Sequence, residues 1–252
     1  MSAYSALASF YDVFTGNVDY ERRADFVTQK LDQFGSRGIV LDAGCGTARF
    51  TRMLKARGFD TIGVDNSPEM LMQAREADSE MLLLCQDLTQ LDLYGTVQGA
   101  VCMQDTLNHL PDIDAFRTAV ARIALFMEPG AVFVFDLNSE YKHRFVLADN
   151  CFVYEAEDGM CVWQNELQQN GSVELQVDVF SRSADGSYSR DTDCFTEILV
   201  PHETVLQTLE SCGLQLVELL DGESYARFAK QAKEYFMLRG KNEQQSHSLY
   251  HA

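Results

Sequence analysis

The sequence predicts an α/β protein: a doubly wound, mostly parallel sheet, preceded by helices and followed by an antiparallel β insert. Three observations predict it. Short, continuous apolar runs alternate with helix-like segments from about 39 to 138, the pattern of strands buried on both faces. The first run ends in a glycine-rich turn, Asp42-Ala-Gly44-Cys-Gly46. From about 140 to 200 the runs are instead joined by Glu157-Asp158-Gly159, Gln169-Asn170-Gly171 and Ala184-Asp185-Gly186, which are hairpin signals.

The elements follow in order. Residues 1 to 35 space apolar and aromatic residues by three and four (Tyr4, Leu7, Phe10, Tyr11, Phe14, then Tyr20, Phe26, Val27, Leu31, Phe34), which predicts helices. Gly16 and Asn17 break them into two, and Gly35 to Gly38 closes the second. Ile39 to Leu41 is the first strand, and Arg49 to Arg57 a helix stopped by Gly58. Thr61 to Val64 is the next strand. Ser67 and Pro68 then open a helix as N-cap and first-turn residue. Met81–Cys85 and Gly99–Met103 are strands three and four. A helix from Asp114 to Met127 is expected to stop at Pro129-Gly130, before strand five at Ala131–Phe135.

In the insert, strands are expected at Cys151–Glu155, Met160–Gln164, Val173–Phe180 and Thr196–Val200. Then come a helix from Glu203 to Cys212, a strand from Leu214 to Leu220, a helix from Ser224 to Lys233 and a strand from Tyr235 to Leu238. Residues 241 to 252 are polar and expected to form a flexible tail.

Composition narrows the function. A chain of 252 residues suits one large domain, or one with an appendage. The net charge is −18, and no run of Lys or Arg offers the basic face that replaces phosphate counterions, so nucleic acid and anionic membranes are disfavoured. No stretch approaches the roughly 20 apolar residues that span a bilayer. The first basic residue is Arg22, so no signal peptide is expected. The seven Cys include no CxxC pair, so neither a disulfide framework nor a zinc site is expected. His143, His202, His247 and His251 are scattered and do not resemble metal ligands. A protein of the reducing cytoplasm is the expectation.

The sharpest signal is the turn after strand one. Glycines at 44 and 46 allow a tight turn and close approach of a ligand. Arg49 stands where a dinucleotide motif has its third glycine. Asp65 ends the next strand 19 residues beyond Gly46, near the spacing of about 20 at which a strand-end acid meets ribose hydroxyls.

At this point the sequence resembles the class I, Rossmann-like, S-adenosylmethionine-dependent methyltransferases, and in particular small bacterial members with an antiparallel insert. The first motif reads Asp42-Ala-Gly44-Cys-Gly46-Thr-Ala48, with Ala48 in place of a glycine. Gly63-Val-Asp65-Asn-Ser-Pro-Glu-Met70, Cys85-Gln-Asp87-Leu88, Cys102-Met-Gln-Asp105-Thr-Leu-Asn108-His109 and Met127-Glu-Pro-Gly130 continue it, over roughly residues 36 to 138.

The resemblance implies a seven-stranded sheet and S-adenosylmethionine as cofactor. A carboxylate accepts from two hydroxyls at once, so it implies that Asp65 meets the ribose. Asp87 and the Leu88 amide would meet adenine, with Asn66 and Met70 as its walls. The turn at Gly44, Cys45 and Gly46 would contact the methionine portion through its backbone, and Gln104 is a further cofactor-binding candidate. Asp42 would hold the turn or meet the ligand's ammonium. Tyr11 and Tyr20 would either cover the methionine end or pack their helices into the core, and both readings stay open. Asp105 and His109 are the candidate catalytic pair, with His109 a base near neutral pH.

The implied division is a Rossmann-like domain, residues 1–138 and 201–240, opening with a helical lid. The insert, 139–200, would roof the substrate or form a homodimer interface around Trp163. The activity expected is methyl transfer to nitrogen or oxygen of a small molecule. An RNA methyltransferase and a non-catalytic cofactor-binding protein are the alternatives. Arg49 and Asp42 argue against an NAD-dependent oxidoreductase.

Overall fold

A computed structural model describes residues 7–8, 10–16, 18–227 and 232–241. The amino-terminal segment carries a short helix, α1 (Tyr11–Phe14), then α2 (Tyr20–Gln33), capped by Asp19. The core alternates strand and helix: β1 (Ile39–Ala43), α3 (Arg49–Ala56), β2 (Asp60–Asp65), α4 (Pro68–Ala77), β3 (Leu82–Cys85), β4 (Val97–Cys102), α5 (Ile113–Phe126) and β5 (Met127–Asn138). After α6 (Glu140–Lys142) and a helical turn, His143–Leu147, comes the insert: β6 (Cys151–Ala156), β7 (Gly159–Leu167), β8 (Val173–Arg182) and β9 (Tyr188–Glu197). Helix α7 (His202–Ser211) and strands β10 (Leu214–Asp221) and β11 (Glu234–Lys241) complete the described chain.

The larger sheet has the order β10-β11-β5-β4-β1-β2-β3. Its five strands β1 to β5 run parallel; β11 is added antiparallel to β5, and β10, antiparallel to β11, runs in the direction of the first five. The strand order reverses between β1 and β4, and a crevice at the carboxyl ends of such strands is where open α/β sheets bind ligands. Alternation along the strands feeds two cores. Leu41, Ala43, Phe133 and Phe135 pack with Phe116, Val120 and Leu209 of α5 and α7. Val40, Val101, Val132 and Val134 face Val27, Leu31 and Leu54 of α2 and α3.

The insert is a separate antiparallel sheet, β6-β7-β8-β9. Its Cys161, Val177 and Val179 bury Leu7, with Phe10, Tyr11 and Trp163 around them. The amino-terminal segment thus bridges insert and core. The Leu7 amide donates to Asp193 on β9 at 3.0 Å, and Asp12 accepts from Thr47 at 2.6 Å.

Several boundaries differ from expectation. Helix α5 ends at Phe126, because Glu128 precedes a proline and is pushed toward extended backbone. Pro129-Gly130 lies inside β5, where the pairing with β4 shifts register. The last insert strand runs from Tyr188 to Glu197, not from Thr196 to Val200. Its Ser189-Arg-Asp-Thr-Asp193 stretch is polar, yet β8 pairs with it residue for residue. Ser224 to Arg227 forms turn and bridge, not helix. Residues 228–231 of that expected helix lie outside the described residues, as do Tyr4, Asn17, His247, His251 and the tail beyond Lys241, and Ala232 and Lys233 are not helical. Ala48, in the third-glycine position, holds a left-handed φ of 56°, a conformation that costs a non-glycine residue about 1–2 kcal/mol. Among the described residues, no helix is long and apolar enough to cross a membrane.

Candidate active site

The carboxyl ends of β1, β2 and β4 open into a cleft of about 110 Å³, lined by Tyr11, Gly44, Gly46, Asp65, Asn66, Met70, Gln86, Asp87, Leu88, Gln104, Thr106, His109 and Leu110. Most of the sequence-predicted residues therefore meet in one place. Gln86, Thr106 and Leu110 join them. They lie within or beside the quoted motifs, but nothing in their type marked them out.

The glycine turn is built around Val64 and Asp65. The Gly44 and Cys45 amides both donate to the Val64 carbonyl, and the Gly46 amide donates to Asp65 Oδ2 at 2.8 Å. These three amides are spent inside the protein, so a backbone contact of the turn with a ligand falls to its carbonyl groups. Gly44 is required by packing: a Cβ there would lie 2.2 Å from Thr106 Cγ2. At Gly46 an added Cβ meets no atom within 4 Å. The Ser67 amide donates to Asp65 Oδ1 at 2.9 Å, so both carboxylate oxygens are oriented from behind. Asp87 caps the turn Leu88–Gln90 through Oδ1, which accepts from the Thr89 amide and hydroxyl.

Four expected residues do not line the cleft: Asp42, Cys45, Tyr20 and Asp105, which lies behind His109. Asp42 is buried under the turn, where Oδ2 accepts from the Thr51 hydroxyl at 2.6 Å. Burial pushes its carboxyl up to about 7. Cys45 packs with Leu71, Ala74 and Leu83, and burial raises its thiol. Tyr20 lies in the α2 core with Arg49 stacked over its ring at 4.2 Å, so of its two readings the core one holds. Tyr11 does line the cleft. Burial raises its hydroxyl well above the ordinary value, so it stays a protonated donor.

The end of β4 is strained. Gln104 and Asp105 are consecutive residues at φ 58° and 50°. Asp136 of β5 clamps both, accepting the Gln104 amide on Oδ2 at 3.0 Å and the Asp105 amide on Oδ1 at 2.7 Å. Arg23 of α2 in turn holds Asp136 at 2.9 Å and Glu234 at 2.6 Å. The buried Gln104 Nε2 has no hydrogen-bond partner among the described residues.

Behind His109 lies a charged cluster that the sequence did not reveal. His109 Nε2 is 3.5 Å from Asp105 Oδ1, and Lys142 Nζ is 3.7 Å from Asp105 Oδ2. Asn138 Nδ2 donates to Asp105 Oδ2 at 2.9 Å and to Glu197 Oε2 at 2.6 Å. Lys142 also pairs with Glu234 at 2.9 Å. Burial pushes Asp105 up, but its bond with His109 and the Lys142 charge outweigh this and hold it below the usual carboxylate range. Burial would lower His109, yet Asp105 and Glu197 raise it. Burial and the Asp105 charge raise Glu197. Asp105, His109 and Glu197 hold their ligand-type atoms within 4.8 Å of one another. His143, which looked unclustered in sequence, is buried with Nε2 3.9 Å from Glu197 Oε2.

Comparison with known proteins agrees with this geometry. Residues 40–130 match the family described as a methyltransferase domain. A provisionally named methyltransferase of Geobacillus sp. (strain WCH70) is 28% identical over 223 residues, covering 86% of this chain and 90% of its own length. The dTDP-3-amino-3,4,6-trideoxy-alpha-D-glucopyranose N,N-dimethyltransferase of Streptomyces venezuelae is 29% identical over 133 residues, covering 50% of this chain and 55% of its own. The crystal structure of an S-adenosylmethionine-dependent methyltransferase from Clostridium acetobutylicum ATCC 824 superposes with a TM-score of 0.85 at 26% identity, covering 95% of this chain and 99% of that one. With residues 40–130 forming a methyltransferase domain, a glycine turn closed on a strand-end acid at the switch point of a parallel sheet, and the Geobacillus and Clostridium likenesses spanning 86% and 95% of the chain, the protein is an S-adenosylmethionine-dependent methyltransferase of the class I type.

Proposed function

We propose that this enzyme transfers the methyl group of S-adenosylmethionine to a nitrogen or oxygen atom of a small-molecule acceptor. The observation that carries this reading is the position of His109. It lines the cofactor cleft on one side and touches the enclosed charged cluster on the other. The insert walls that end, with Phe195 edge-on to His109 at 5.3 Å and Trp163 edge-on to Phe195 at 5.9 Å. A cleft end walled by these rings suits a small acceptor better than a polymer. The net charge of −18 disfavours RNA further, and the Streptomyces venezuelae relative is named for an amino sugar.

The donor set fits the cofactor. Asp65 is oriented to accept from the two ribose hydroxyls. Asp87 Oδ2, which takes part in neither capping bond, suits the adenine amine, with Met70 and Leu88 as apolar walls. With the turn amides engaged and the Cys45 carbonyl accepting from the Ala48 amide, the Gly44 carbonyl, which accepts only a long 3.5 Å bond from Thr106 Oγ1, suits a positively charged amino end. Gln104 Nε2, buried beside the cleft without a partner, is a donor for its carboxylate. Asp42 supports the turn from beneath.

The cofactor supplies a methyl group on a sulfonium, an electrophile that needs no further activation. The protein's share is to position the acceptor, worth roughly 7–11 kcal/mol of barrier, and to accept its proton, which falls to His109. The amino-terminal helical segment acts as a lid over the cleft through Tyr11, fixed by Asp12 and Leu7. Residues 139–200 roof the acceptor, while 1–138 and 201–240 form the catalytic body.

Calorimetric titration of ligand-stripped protein with S-adenosylmethionine, S-adenosylhomocysteine and NADH tests the cofactor reading. Binding of the first two alone is expected, and binding of NADH alone would overturn it. An acceptor panel read by S-adenosylhomocysteine release tests the small-molecule reading. Release with RNA but with no small molecule would overturn that.

A further inference from the structure

We propose that the acceptor is an amine that enters as its ammonium ion, and that Glu197, at the end of the insert sheet, anchors it beside His109 and Asp105. This rests on the methyltransferase reading of the cleft and names the substrate class for the same site.

Charge balance is the first argument. Four acids meet in one connected, largely buried network: Asp105, Asp136, Glu197 and Glu234. Two permanent cations face them. Arg23 serves Asp136 and Glu234, and Lys142 serves Glu234 and Asp105. Glu197 has neither within ion-pair distance. It accepts from the Asn138 amide at 2.6 Å and faces His143 Nε2 at 3.9 Å, with a His109 ring nitrogen within 4.8 Å. A buried carboxylate without a cation is costly, so the cluster favours one further positive charge on the His109 side.

His143 is the second, independent observation. Its Nδ1 lies 3.0 Å from the Gly171 carbonyl, which can only accept, so Nδ1 carries the proton. Nε2 then presents a lone pair. That atom is buried, has no hydrogen-bond partner among the described residues, and faces Glu197 across 3.9 Å. Two acceptors facing one another, with Asp105 and His109 alongside, call for a group with several donors and positive charge. An ammonium has three N–H donors, while a neutral hydroxyl has one.

The chemistry balances. The R–NH3⁺ ion gives one proton to the neutral His109 ring at Nδ1, where the lone pair lies because Nε2–H faces the Asp105 carboxylate. The freed nitrogen lone pair forms the N–C bond to the methyl carbon as the S–C bond breaks. The electron pair of that bond stays on sulfur, which becomes a neutral thioether. The product leaves as R–NH2⁺–CH3, and His109 returns its proton to solvent. Glu197 acts before and after this step, by holding the cation.

The test is binding to the full-length protein saturated with S-adenosylhomocysteine. Glucosamine, benzylamine and ethanolamine are titrated against glucose, benzyl alcohol and ethylene glycol, and MgCl2 and MnCl2 are titrated separately. At least one ammonium is expected to bind about ten-fold or more tightly than its hydroxyl counterpart, as one charge-assisted hydrogen bond provides. Glu197→Gln is expected to weaken that binding about ten-fold or more, with S-adenosylhomocysteine affinity unchanged. Asp105→Asn is expected to weaken it too, and serves if the first variant fails to fold. Equal binding of the hydroxyl probes, binding of no ammonium, binding of a divalent cation alone, or unchanged binding in both variants overturns the amine subsite. Failure of S-adenosylhomocysteine itself to bind would mark the cofactor reading as the fault, and the amine proposal would fall with it.

Discussion

The Gly46 amide donates to Asp65 Oδ2 at 2.8 Å, so the glycine turn and the acid ending β2 hold each other in place. Asp65 thereby serves twice, as an acceptor toward the cleft and as a brace for the turn. Asp65→Ala is expected to weaken S-adenosylmethionine binding by about 1–3 kcal/mol, the cost of a lost charge-assisted hydrogen bond. Calorimetry reads this directly. Unchanged affinity would mean that the ribose does not lie at Asp65.

Asp136 presents a stability argument, since it faces inward from β5. It accepts both amides of the left-handed pair Gln104 and Asp105 and pairs with Arg23. Asp136→Ala would leave two donors unmet and release backbone that is held in a sparsely populated conformation. Breaking a buried pair in this way costs about 3–5 kcal/mol. Urea unfolding of variant and wild type measures it, and a difference below about 1 kcal/mol would show that the clamp is dispensable.

Asp42 should make stability depend on pH. Its folded carboxyl is pushed up to about 7 by burial, above the ordinary 3.8. An acid whose folded value is raised stabilises the fold in its protonated form. That contribution is complete below about 3.8 and is lost as pH climbs through about 7. Asp42→Asn keeps a neutral hydrogen-bonding group at every pH. Its melting temperature is expected to exceed the wild type's at pH 8, with the gap closing toward pH 4. A gap equal at both pH values would place the Asp42 charge in a better solvated setting than the structure does.

What the sequence made legible was local. The glycine turn, Asp65 and Asp87 sit at strand ends whose apolar runs are continuous, and the insert's hairpins carry Asp-Gly or Asn-Gly turns. The charged cluster was not legible, because Arg23, Asp136, Lys142, Glu197 and Glu234 come from separate segments. Strand register brings them together: Glu234 pairs with Asn138 across β11 and β5, and β8 carries β9 to its end at Glu197. One signal was available. Phe133-Val-Phe-Asp136-Leu-Asn138 puts two polar residues on the same side of an otherwise apolar, buried strand, which is where buried charge should be sought. Tyr11 and Tyr20 show the opposite limit. Both are aromatic residues on amino-terminal helices, and only packing distinguishes the one at the cleft from the one in the core.

His109 links the cluster to the chemistry, and its protonation should govern the rate. Asp105 and Glu197 raise it above the ordinary 6.5 despite burial. A base works only when unprotonated, so kcat/KM is expected to rise with pH along a limb centred above 6.5. His109→Asn removes the base and keeps a polar side chain of similar reach. It should lower kcat by about 10²–10⁴-fold, the usual worth of a positioned acid or base. It should also abolish that limb, leaving S-adenosylhomocysteine affinity near the wild-type value. Loss of activity with the limb intact would mean that another group accepts the proton, and that His109 only shapes the chamber against Phe195.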